Sequence, residues 1–162
     1  MMPPKHAPVS QAITGDESAD PATPLGALSE FYRAFNRRDL ALMRQNWQPD
    51  ECVLDNPLGG IRRGWDEIEA LYTRLFTGGA IVQVVFFDYT LHEGADLFIA
   101  AGRERGHFES ADSARNPVRI ELALRTSRVY RKAEGRWRQI HHHGSIEDPS
   151  LLARYQLAVM GD

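Results

Sequence analysis

At Ala80 the apolar period of the sequence changes from helical to strand-like, and it does not change back until Asp148. Before the switch, Leu25, Leu28, Phe31/Tyr32 and Phe35 recur at helical spacing, with Thr23 placed to cap this helix and Pro24 to open it. Asp39 is placed to cap a second, short helix whose apolar side is Leu40, Met43 and Trp47. ECVLDNPLGG, residues 51–60, reads as a short strand running into a Gly-Gly loop. A third helix is expected after Gly64: Asp66 and Glu67 suit its positive end, and Ile68, Leu71, Tyr72, Leu75 and Phe76 form an apolar stripe stopped by Gly78 and Gly79. After the switch, AIVQVVFFDYTLH, LFIAAGRERGHFE, VRIELALRTSRVYRK and RWRQIHHH read as successive strands separated by polar turns. A capped helix over 149–160 follows, with Leu151, Leu152, Tyr155 and Val159 on one side.

Helices and strands segregated in this way predict an α+β fold. Three N-terminal helices would pack in a strongly curved, mostly antiparallel sheet, with a short C-terminal helix added. The inside of such a half-open cone is a ready small-molecule pocket.

The chain of 162 residues suits one domain. Residues 1–22 lack an apolar period and are expected to form a mobile arm, ahead of a domain over 23–147 and a helix and tail over 148–162. A net charge of −3 argues against holding nucleic acid by charge. Cys52 stands alone, so no internal disulfide is possible, which fits a reducing compartment. No apolar run approaches the ~18 residues of a membrane span, and MMPPKHAPVS lacks the apolar centre of a secretory signal. The expectation is a cytoplasmic protein without nucleic-acid or membrane partners.

Three strings carry a family resemblance. They are FYRAFNRRDLALMRQNW, DNPLGG with Gly64 opening a helix, and SRVYRKAEGRWRQIHHHGS. With the element order, they resemble the nuclear-transport-factor-2-like superfamily, which includes SnoaL-like polyketide cyclases, ketosteroid isomerase and scytalone dehydratase. The third string is also similar to the final hairpin of the calcium/calmodulin-dependent protein kinase association domain. The resemblance covers roughly residues 24–146 and implies a cone-shaped, cystatin-like roll. That superfamily hosts enzymes, binding proteins and assembly modules, so fold alone does not choose among them.

Ketosteroid isomerase uses an Asp base, with a Tyr and a protonated Asp that donate to an oxyanion. By the resemblance, the base position falls on Asn56, an amide that cannot take a proton. Asp55 is its neighbour, but adjacent strand residues point to opposite faces unless a bulge re-aims one. The tyrosine position falls on Phe31, with Tyr32 turned by about 100° beside it. The second acid falls near Ser127 or Arg128. In strict register none of the three is retained, which implies the isomerase fold without its catalytic Asp.

The association-domain resemblance implies that Arg128 lies on the concave side and that an earlier inward arginine is Arg103 or Arg105; it also turns His142 inward. Parity alone puts Arg103, Arg105 and His107 on one face, Ile140 and His142 on one face of the last strand, and Trp137, His141 and His143 on the other. His141 and His143 could be two metal ligands, with His107 as a third, but no Cys- or Glu-rich string supports such a site, and neither a metal nor another cofactor is expected. The candidate catalytic residues are therefore His142 as acid/base, Asn56 as carbonyl polariser and Asp55. Tyr32, Trp47, Trp65, Tyr72, Arg103 and Arg128 are the candidate substrate-binding residues.

Two functions are carried forward. The first is a SnoaL-like small-molecule binder, or an isomerase, cyclase or dehydratase, taking a carboxylate, a carbonyl compound or an aromatic substrate. The second is a non-catalytic assembly module. A sheet-mediated homodimer is expected, because strand 81–91 is strongly apolar and the last hairpin adds outer-face residues.

Overall fold

The computed structural model describes residues 1–160. It begins with α1 (Pro24–Arg37) and α2 (Leu40–Asn46), continues with two short strands, β1 (Val53–Asp55) and β2 (Ile61–Arg63), and then has α3 (Trp65–Thr77). Four long strands follow: β3 (Ile81–Glu93), β4 (Leu97–Ala111), β5 (Pro117–Ala133) and β6 (Arg136–Ile146), and α4 (Pro149–Met160) comes last. The fold is α+β, as expected. The helices fall as two plus one, with the expected short strand β1 between them, and the structure adds a second short strand, β2, before α3. β2 has no apolar alternation to announce it. It forms because the loop at Gly59 and Gly60, both with positive φ (110° and 84°), turns the chain back against β1.

The caps act as their residue types suggest. The Thr23 side chain accepts a hydrogen bond from Gly26 N at 3.1 Å, and Asp39 Oδ1 accepts one from Leu42 N at 2.9 Å.

The six strands form one sheet in the order β2-β1-β6-β5-β4-β3. Every pairing is antiparallel except β1 with β6. The sheet curls where side chains are missing. A Cβ on Gly106 would stand 1.8 Å from the Gln83 carbonyl oxygen, and one on Gly102 would stand 2.6 Å from the Tyr89 Cβ. Only glycine lets β3 fold over β4 so closely. A bulge after Phe87, with Asp88 at φ 49°, adds to the bend.

Residues 1–22 were expected to be a free arm, yet their middle is built into the structure. Val9 and Ile13 bridge to Tyr89 and Phe86 along the outer edge of β3. Ile13 is 1% exposed, and the Arg33 side chain donates to the carbonyls of Gly15 and Glu17. Val9 and Ile13, four residues apart in an otherwise mostly polar, Ala- and Pro-containing stretch, set up no sustained period, so the sequence signal is weak. The docking follows from the open edge of β3, which exposes backbone donors and acceptors that need partners. Asn36 finishes the edge: its Nδ2 donates to Val84 O at 2.8 Å and its Oδ1 accepts from Val84 N at 2.9 Å, as a neighbouring strand would.

Candidate functional site

The inside of the cone holds a cavity of about 390 Å³ between α1, α3, α4 and the concave face of the sheet. Most of its wall is apolar, including Phe31, Leu54, Leu71 and Val84. Five of its polar side chains come from five elements or loops: Asn56 after β1, Tyr72 on α3, Glu104 on β4, Arg128 on β5 and His142 on β6. The C-terminal helix lies across this cone in its own chain, with Tyr155, Ala158 and Val159 at the cavity and Gln156 donating to Leu58 O at 3.2 Å.

Arg128 is the deepest of these groups, 1% exposed. Its Nη2 donates to Glu104 Oε1 at 2.9 Å, its Nη1 to Gln139 Oε1 at 2.7 Å, and its Nε to the Tyr32 hydroxyl at 3.2 Å. The Tyr32 hydroxyl donates in turn to Glu104 Oε1 at 2.7 Å. The guanidinium carbon lies 3.6 Å from the Phe31 ring centroid, a cation–π contact. The network extends behind the cavity. Asn46 Oδ1 accepts from the Tyr130 hydroxyl at 3.0 Å and the Asn46 amide donates to Glu30, which pairs with Arg136. Each buried carboxylate thus has its own arginine, which removes the cost of burying a lone charge.

His142 is the exception. It is 7% exposed, it lines the cavity, and neither ring nitrogen has a hydrogen-bond partner. Burial holds its pKa well below the usual histidine value, and the charge of Arg128 pushes it the same way. The ring is therefore neutral near pH 7, with one nitrogen to donate and one to accept. Tyr72 is likewise held protonated by burial.

Several candidate residues stand elsewhere. Arg103 is on the outer face, bonded to Asp88 at 3.0 Å and paired with Glu147. Strand parity gives the inward place on β4 to Glu104, between Gly102 and Gly106. Asp55 points outward too, with its carboxylate near His141 and His143, and no bulge re-aims it. Tyr32 is spent on Glu104 and Arg128 behind the wall; Phe31 holds the wall position. Trp47 and Trp65 are core residues away from the cavity. Trp137 faces inward, not outward with His141, because the β5–β6 register shifts between Val129 and Tyr130 and leaves Ile140 unpaired. His107 stands opposite Gln83 and Glu121, on strands that do not include His141 or His143. Glu104 is not among the residues the sequence singles out, although Phe98, Ala100, Gly102, Gly106 and Phe108 mark its parity as the small and apolar one.

A family model described as a SnoaL-like domain matches residues 25–149. No curated protein matches the sequence. Among solved structures, the chain is similar to a candidate calcium/calmodulin-dependent protein kinase type II association domain from Thiobacillus denitrificans. The identity is 26%, with 82% of this chain and 100% of that one covered at a TM-score of 0.59. It is similar to a ketosteroid isomerase-like protein from Erwinia carotovora atroseptica at 22% identity, covering 82% and 100% at 0.63. A candidate dehydratase of the nuclear-transport-factor-2-like family from Streptomyces avermitilis matches at 17% identity, covering 74% and 90% at 0.62. No described helix is long and apolar enough to cross a membrane.

Proposed function

This chain belongs to the SnoaL-like domain family, and we propose that its cavity binds a neutral, largely apolar small molecule through one carbonyl or hydroxyl oxygen. His142 carries this reading: a buried imidazole with two unpaired nitrogens on an apolar wall is a polar anchor without its partner. The cavity volume of about 390 Å³ suits a compact alicyclic or aromatic molecule. Arg128 already donates to three protein acceptors and shares its charge with Glu104, which favours a carbonyl over a carboxylate ligand. If the bound molecule reacts, the chemistry is proton transfer at His142, of the isomerase or dehydratase type, with Asn56 as the neighbouring polar group on the wall.

The test is a binding panel that pairs cyclic ketones with their hydrocarbon counterparts, followed by fluorescence or calorimetry. His142→Leu is expected to weaken the ketones about tenfold, the worth of one hydrogen bond, and to leave the hydrocarbons unchanged. Equal loss for both sets, or no binding by any member, would remove the proposal.

A second reading is assembly. Ile81 and Ile99 are exposed large apolar residues on long strands, and one similar structure is a candidate association domain. The expected homodimer is tested by light scattering of the purified chain and of Ile99→Lys.

A further inference from the structure

We propose that Asp55, His141 and His143 form a binding site for a borderline divalent transition-metal ion, such as Zn²⁺, on the outer face of the sheet. The site is independent of the cavity. β1 and β6 run parallel with Asp55 beside His143 and Val53 beside His141, while Leu54 and His142 between them point inward. Alternation therefore sends the three polar side chains to the opposite surface from the cavity.

The distances favour a shared ion over direct bonding. His143 Nδ1 lies 3.4 Å and His141 Nε2 3.7 Å from the same oxygen, Asp55 Oδ2. All three donor atoms fall within 4.8 Å of one another. Those separations exceed the about 2.7–3.2 Å of a hydrogen bond to nitrogen. Two ligands each ~2.1 Å from a tetrahedral ion stand ~3.4 Å apart. The two separations from Asp55 Oδ2, 3.4 and 3.7 Å, are thus close to the spacing of ligands around a common centre.

A neighbouring hydroxyl fits as well. His143 Nε2 lies 3.1 Å from Ser145 Oγ. A proton on Nε2 donated to that hydroxyl leaves Nδ1 unprotonated and aimed at Asp55, the tautomer a ligand needs. Two imidazoles and one carboxylate suit zinc, cobalt, nickel or ferrous iron better than calcium or magnesium. The three side chains are partly or well exposed, so the remaining coordination positions are open to water or to a ligand from solution.

The test is calorimetric titration of Zn²⁺ into untagged, chelator-treated full-length protein, with the visible spectrum of Co²⁺ as a second readout. The expected result is one ion per chain and a cobalt spectrum typical of nitrogen and oxygen ligands. Asp55→Asn, His141→Asn and His143→Asn should each weaken binding about 100-fold or more, since loss of a ligand costs at least as much as loss of a group that only hydrogen-bonds to a ligand. His107→Asn should bind as the parent does. Circular dichroism without the ion checks that each variant is folded. Absence of binding up to millimolar ion would overturn the site. So would binding that survives Asp55→Asn and His143→Asn unweakened, which would assign the ion to other histidines. Ketone binding in the cavity is read separately, so either proposal can fail without the other.

Discussion

Arg128 Nη2 and Glu104 Oε1 meet at 2.9 Å across adjacent strands, with their side chains 1% and 7% exposed. The pair closes the inner end of the cavity and ties β4 to β5. Its value lies less in attraction than in mutual cancellation, because each charge alone would be stranded in the core.

Removing both partners should therefore cost less than the sum of removing each. Glu104→Leu and Arg128→Met should each lower unfolding stability by about 3–5 kcal/mol. The double variant should lose clearly less than their sum, because no unpaired charge remains. Urea denaturation of the four proteins measures the cycle. Additive losses would mean that the two side chains do not act as a pair.

The depressed pKa of His142 gives a pH dependence with a definite sign. In the unfolded chain the ring takes a proton as pH falls through about 6.5, whereas in the folded chain burial and Arg128 resist that proton. The unfolded state then binds more protons, so stability is full above this range and falls with pH until the folded ring titrates. For one proton the slope approaches ~1.4 kcal/mol per pH unit. His142→Leu should flatten the curve between pH 6.5 and the onset of carboxylate titration. A slope unchanged by the substitution would place the effect on another group.

Arg103 offers the contrast to Arg128. Its side chain is 44% exposed, and its pairs with Asp88 and Glu147 are open to solvent. Arg103→Ala should change stability by no more than about 1 kcal/mol. It should leave binding in the cavity untouched. A loss of ketone affinity in this variant would show that the outer face communicates with the cavity.

The difference between these two arginines shows what could be read in the sequence. Element boundaries followed from the period change at Ala80, from the caps Thr23 and Asp39, and from the glycine stops. Arg128 and His142 were assigned inward by resemblance, and they line the cavity. The same resemblance draws Arg103 or Arg105 inward, although Gly102 and Gly106 mark the other parity as the crowded one, and both arginines are exposed. Strict parity sends Trp137 outward, and one extra residue, Ile140, turns it inward by shifting the register within β6. Parity counts reliably only along an unbroken ladder, and nothing local in RQIHHH announces a bulge. The outward cluster escaped for another reason: the partner of His141 and His143 is Asp55, from a short strand 86 residues earlier than His141 that pairs in parallel with β6. Neither spacing nor composition signals that contact.

The N-terminal segment gives the last prediction. β3 ends the sheet, and its outer edge is met by Val9 N to Tyr89 O at 2.7 Å, by paired bonds between Ile13 and Phe86, and by the Asn36 amide at Val84. Ile13 also fills the core at 1% exposure. Ile13→Ala should cost about 2–5 kcal/mol, the usual range for emptying a buried aliphatic site. Asn36→Ala should cost about 1–3 kcal/mol, because the Val84 amide and carbonyl lose their partner. Truncation of residues 1–15 should go further and expose a long apolar strand edge, so self-association should rise with concentration. Urea melts and light scattering of the three variants read these outcomes. A truncated chain that keeps the parent's stability and mass would mean that the segment merely rests on the edge.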